Sequence, residues 1–246
     1  MMMKKFPVKH LPLDFIGLLF SVTGFILVLL CLVGCIYESG RGLYFLKVAD
    51  SQPTANASVA VYYGWQAYCI DDVNLGLNCY SDRSVMVVPF DVAISGQLNG
   101  TYPRLFSDEI EQNTDLNPGA NPNPPHDPKI YPAAVLCLLS GAALLVFCFW
   151  KVISRHYFDE FYTRGFLASA GSVLSLLLII LSSVMYQEAV RQLNLAFPHL
   201  VATQGPCMIL IGIAFMCFAL ASFVLLRGCM SIDEASTSNS EGYSAI

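Results

Sequence analysis

Nine cysteines are the residues in this 246-residue chain most capable of chemistry. Cys31, Cys35, Cys137, Cys148, Cys207 and Cys217 fall inside long apolar runs, where a thiol serves as a small apolar side chain. Cys229 follows the last run beside Arg227 and is a palmitoylation candidate. Cys69 and Cys79 remain, alone well inside the longest hydrophilic segment. They flank Asn74-Leu75-Gly76, which reads as a turn, so in an oxidising compartment they pair as a disulfide pinning two adjacent strands. Asp71, Asp72, Asn74, Asn78 and Asp82 surround them, but Gly76 comes one place early for an EF-hand and no Glu closes the pattern. An ordinary acidic turn is expected there, with no metal.

No catalytic residues are expected. His10, His126, His156 and His199 are scattered, and the chain lacks Gly-x-Ser-x-Gly, His-Glu-x-x-His, a phosphate-binding glycine loop and Cys-x-x-Cys. The chain reads as a non-enzyme without a cofactor. Its net charge of −5 offers nucleic acid nothing.

The elements that must position these residues are set by lipid. Only 13% of residues are charged and 55% are hydrophobic, with mean hydropathy +0.57. The apolar residues gather in Phe15–Ile36, Tyr131–Ile153, Phe166–Tyr186 and Gly205–Leu226, none holding Asp, Glu or His. At about 1.5 Å per residue, each crosses a hydrocarbon core of roughly 30 Å. The first is too long for a signal peptide. Leu32-Val33-Gly34-Cys35 spells a bacterial lipoprotein cleavage signal, but three further spans oppose that reading.

Lys4, Lys5, Lys9, Lys151, Arg155, Arg164 and Arg227 flank spans on one side, so both ends (1–14 and 227–246) are expected in the cytosol. Residues 154–165 form a cytosolic loop whose aromatics suit an interfacial belt. Residues 37–130 and 187–204 form extracellular loops. Candidate glycosylation sites Asn56 and Asn99 both lie in the first of these.

That loop has two parts. From 42 to 88, the runs Leu43–Val48, Ser58–Tyr63 and Ser84–Val88 predict a small antiparallel sheet. Residues 112–129, rich in Pro and Asn, read as an extended linker. Eleven acidic residues against five basic ones give the loop a net −6, which attracts cations over roughly 8–10 Å. Ordinary ectodomain solubility is the favoured explanation over a functional role.

Val190, Leu193 and Phe197 continue span three above the membrane, to pack on the sheet until Pro198. The Ser- and Glu-rich tail 231–246 is expected to be disordered. Small residues on span three (Gly165, Ala168, Ser169, Gly171, Ser172, Ser175) and Gly17/Ser21 on span one permit close helix packing. They leave a packed bundle and a homo-oligomer both open.

Four spans, a large first loop, and Trp65 before Cys69 and Cys79 resemble the claudin superfamily, without its Gly-Leu-Trp tripeptide. Three stretches resemble more closely the fungal calcium-regulator and membrane-fusion family of mating cells. They are Leu32-Val33-Gly34-Cys35, Leu43–Val48, and Val61-Tyr62-Tyr63-Gly64-Trp65-Gln66-Ala67-Tyr68-Cys69 with Cys79 beyond. Gly64 and Cys69 fit the family pattern; Gln66 is polar there and Ala67 replaces its second glycine.

The resemblance implies a membrane all-α four-helix bundle with a small extracellular antiparallel β-sheet, claudin-like, in the plasma membrane. Gly34, Cys35, Gly64, Trp65, Cys69 and Cys79 are its motif residues. It also implies a protein that promotes calcium entry during mating and assists cell fusion, its partners being the lipid bilayer and a calcium channel or other membrane protein. The competing reading is a claudin-like adhesion or membrane-organising protein. Only Asp14, Glu38 and Glu188 lie beside span ends, so a selective acidic ring would need a homo-oligomer, and a regulator or accessory subunit is favoured over a pore.

The topology is testable. Glycosidase treatment should shift the mobility of protein made in a eukaryotic cell, and Asn56→Gln with Asn99→Gln should abolish the shift. Digestion of the 231–246 tail by protease outside intact cells would contradict it.

Overall fold

A computed structural model describes residues 12–36, 42–50, 59–72, 76–80, 129–153, 162–196 and 200–241. It contains helices α1 (Pro12–Val33), α2 (Ile130–Ile153), α3 (Thr163–Ala196) and α4 (Cys207–Glu241). Five strands accompany them: β1 (Leu46–Asp50), β2 (Val59–Tyr63), β3 (Tyr68–Asp72), β4 (Gly76–Tyr80) and β5 (Leu200–Gln204). All four helices are long and apolar enough to cross a membrane. With the antiparallel sheet they fit the claudin-like four-helix fold.

The chain forms two compact units. The first comprises Met1–Leu27, Val135–Leu176 and Ile213–Ile246, and side chains of α1 to α4 fill its middle. Phe218 of α4 is fully buried there among three glycines from the other helices. A Cβ on Gly24 would meet its ring at 3.1 Å and one on Gly171 at 3.0 Å. One on Gly141 would stand 3.5 Å from Phe218 and 3.0 Å from Phe25. Hydrogen in place of a methyl lets four backbones close on one aromatic ring, the device by which helices associate in lipid. Gly17 faces Leu225 and Gly165 faces Leu226 in the same manner.

Serine hydroxyls in this unit find acceptors that lipid cannot supply. Ser21 donates to the Gly17 carbonyl at 2.7 Å and Ser169 to that of Gly165 at 3.0 Å, while Ser169 and Ser222 share a 2.6 Å bond. The small residues of span three are thus taken up within the chain. Outward lie large apolar side chains, including Phe15, Leu139, Phe166, Val173 and Phe223, each at least 61% exposed. Such a surface suits hydrocarbon and would be a liability in water.

The second unit comprises Val28–Ala134 and Leu177–Gly212. Its sheet has the order β4-β3-β2-β1-β5, every pair antiparallel. Alternation places Leu46, Val48, Val61, Tyr63, Tyr68 and Ile70 on the buried face. Tyr63, Tyr68 and Tyr80 are register partners and stack at 6.1 and 5.3 Å. Leu193 of α3 is buried, so the expected extension of span three beyond the apolar run holds.

Several expected boundaries shift. Span one was expected over Phe15–Ile36; α1 ends at Val33, and Cys35 follows in a left-handed conformation (φ 62°) rather than within the span. Pro206 sets the start of α4 at Cys207 instead of Gly205. The tail expected to be disordered is helical to Glu241, because no Gly or Pro interrupts 229–241 and α4 has already supplied the costly nucleus. The first strand runs Leu46–Asp50 rather than Leu43–Val48. The sheet is not confined to 42–88, since β5 joins β1 from the far side of α3. Ser84–Val88, the linker to residue 128, Asn56, Asn99, Phe197 and the loop 154–161 lie outside the described residues.

Candidate functional site

All six motif residues lie in the second unit, around the step from α1 into the sheet. The end of α1 must turn sharply, and Gly34 allows it: a Cβ there would strike the Leu43 carbonyl. Gly64 follows β2, and a Cβ on it would stand 2.6 Å from the Gly34 carbonyl oxygen and 3.2 Å from Cys35 Cβ. The two glycines therefore let the β2–β3 turn rest directly on the helix end, and no larger residue fits either place. The turn closes when Gly64 N–H donates to the Ala67 carbonyl at 2.8 Å.

Cys69 and Cys79 are directly opposed on β3 and β4, with Cα atoms 4.0 Å apart, and form the expected disulfide. A bonded Cys69 Sγ lies 3.3 Å from the Cys35 carbonyl oxygen. The Cys35 thiol donates in turn to the Leu43 carbonyl at 3.3 Å. Cys35, Ala67 and Cys69 make one buried cluster, covered by Ile36, Tyr44, Tyr62, Leu77 and Cys79. Ala67 is 6% exposed, so its methyl group is packed in this cluster.

Trp65 works beside this cluster. Its indole stacks on Phe45 at 4.7 Å, and Phe45 stacks on Tyr186 of α3 at 5.1 Å. The Tyr186 hydroxyl donates to the Gly64 carbonyl at 3.0 Å, which ties the motif turn to α3. Offset aromatic contacts of this kind are worth about 0.5–1.5 kcal/mol each beyond burial. Trp65 Nε1 and Ser182 Oγ are buried without hydrogen-bond partners among the described residues.

Further ties were not legible in the sequence. Gly205 N–H donates to the Phe45 carbonyl at 2.7 Å and Cys207 N–H to that of Tyr44 at 3.2 Å, fixing α4 to the same loop. Asn194 Nδ2 donates to the Ala202 carbonyl at 3.2 Å, and Ala202 N–H to Asn194 Oδ1 at 2.8 Å, giving β5 a side-chain partner. On the sheet's other face, the Lys47 ammonium sits 5.4 Å from the centre of the Tyr62 ring.

The first unit holds an ionic centre. Asp14 accepts from Lys151 at 3.0 Å and from Arg164 at 3.1 Å, joining α1, α2 and α3. Arg164 is almost fully buried, so Asp14 compensates a charge that lipid would strongly disfavour. In the sequence these cations served only as markers of orientation. Cys229 lies in the helical continuation of α4. No cluster of three metal-ligating side chains occurs among the described residues.

Among the described residues this region is a junction held by packing, hydrogen bonds and the disulfide. Compared with family models and with curated proteins, the chain matches none.

The disulfide makes a quantitative test. Closing so short a loop contributes about 2–3 kcal/mol. Cys69→Ser and Cys79→Ser should each lower the melting temperature of the purified protein, and the double variant should lose no more than either single one. Additive losses would show two independent roles.

Proposed function

We propose that this chain is a plasma-membrane protein of mating fungal cells that promotes calcium influx and membrane fusion as a regulator or accessory subunit. The motif order from Gly34 to Cys79 supports the family reading, and the Phe218 packing supports the regulatory one. Within the first unit the ring of Phe218 fills the centre where Gly24, Gly141 and Gly171 meet it, leaving van der Waals contact where an ion path would need water. Asp14, one of three acids beside span ends, is already held by Lys151 and Arg164. It is therefore no candidate for an acidic selectivity ring. The protein then acts on calcium through a channel partner, engaged by its disulfide-pinned sheet.

An adhesion or membrane-organising role is the second reading. It draws on β4, the last strand of the sheet, whose Gly76, Asn78 and Tyr80 are exposed. Among the described residues no strand pairs with its outer edge, and such an edge is a ready partner for another chain.

Calcium entry in cells lacking the protein, with and without pheromone, separates the readings. Loss of the pheromone-induced influx, restored by the wild-type chain, is the expected result. Normal influx with defective cell contact would favour adhesion instead.

A further inference from the structure

Six free thiols are buried among the described residues, and their surroundings differ. Cys137, Cys148 and Cys217 belong to the first unit, where Cys137 Sγ contacts the Gly171 carbonyl at 3.7 Å. Cys35 is engaged by the Leu43 carbonyl at 3.3 Å. Cys31 and Cys207 have each other. Cys31 lies in the last turn of α1 and Cys207 opens α4; both are fully buried in the second unit. Cys31 Sγ is 3.7 Å from the Cys207 carbonyl oxygen, so the thiol of one rests against the backbone of the other.

Their backbones are held in place independently. Cys207 N–H is bonded to the Tyr44 carbonyl, and the helix end after Cys31 is pressed against Leu43 and Gly64. Two thiols on fixed backbones, 176 residues apart in sequence, have been brought together by the fold. The same unit carries the Cys69–Cys79 disulfide, a sulfur of which touches the Cys35 carbonyl just past the end of α1.

We propose that Cys31 and Cys207 are a redox modification site, closing into a second disulfide that fastens the start of α4 to the end of α1. Closure needs the sulfurs to reach about 2.05 Å, and rotation of the Cys207 side chain toward a Cys31 sulfur that already lies against its backbone supplies the approach. The two thiols give up two protons and two electrons to a disulfide-bearing oxidant, which leaves as its dithiol. Closure in the cell rests on the reading that the sheet faces an oxidising compartment; closure in purified protein does not.

The purified full-length chain tests it with diamide as oxidant. One thiolate adds to the N=N bond, the second thiol attacks that sulfur, the S–N bond breaks and the hydrazine departs. After quenching with N-ethylmaleimide in denaturant, peptide mass spectrometry should show a Cys31–Cys207 link and loss of maleimide at both positions. Cys31→Ser should abolish the link and return maleimide to Cys207. Maleimide retained at both cysteines of the oxidised wild type, or Cys31 linked elsewhere, would overturn the proposal. The wild-type map decides the matter even where the variant fails to fold. Calcium influx plays no part in the readout, so the outcome is independent of the functional reading above.

Discussion

Close approach of backbones without a hydrophobic driving force between them is the constraint on which this structure depends. Lipid tails are as apolar as leucine, so helices in hydrocarbon gain little by burying apolar surface and must gain by contact. Gly24, Gly141 and Gly171 supply that contact by admitting Phe218, one ring against three helices. A methyl group at Gly24 or Gly171 would meet the ring at 3.0–3.1 Å, tighter than relaxed packing tolerates. Removing the ring would leave a void that glycines cannot fill, at a cost of about 3–5 kcal/mol by analogy with buried phenylalanines elsewhere. The buried Arg164 with Asp14 and the internally bonded serines obey the same rule: these groups are matched within the protein because lipid offers no partner.

The second unit solves a different problem with the same means. A sheet must be fixed to helix ends so that its edge and face are presented in one orientation. Gly34 and Gly64 bring the β2–β3 turn onto α1, and Tyr186 reaches that turn from α3 through a hydrogen bond and the Phe45–Trp65 stack. The disulfide then joins β3 to β4, an edge strand of the sheet. In the proposed regulatory role, such presentation would let the sheet engage a partner without paying ordering entropy at each encounter.

Much of this was legible because the signals were local. Twenty-residue apolar runs identify spans by length alone, and Cys69 and Cys79 were paired by being the two cysteines far from any span. The motif from Gly64 to Cys69 was visible as spacing, though not why Gly64 must be glycine. That reason is the Gly34 carbonyl, thirty residues earlier in the chain. The missed features are non-local. Leu200–Gln204 is a short strand whose partner, β1, lies 150 residues away in sequence, and nothing near it signals pairing. No period links positions 24, 141 and 171 to 218, and Asp14 gives no sign of Lys151 or Arg164. The helical tail was misread because composition reports what a segment would do alone, without the helix already built before it.

The four helices close on Phe218, and the central proposal is that the protein does not itself conduct calcium. Calcium flux into liposomes containing only the purified chain tests it most directly, with Phe218→Ala and Glu188→Gln beside the wild type. The account predicts wild-type flux no greater than that of protein-free liposomes, and no change with Glu188→Gln. Robust wild-type flux that Glu188→Gln abolishes would contradict it and make α3 part of a pore.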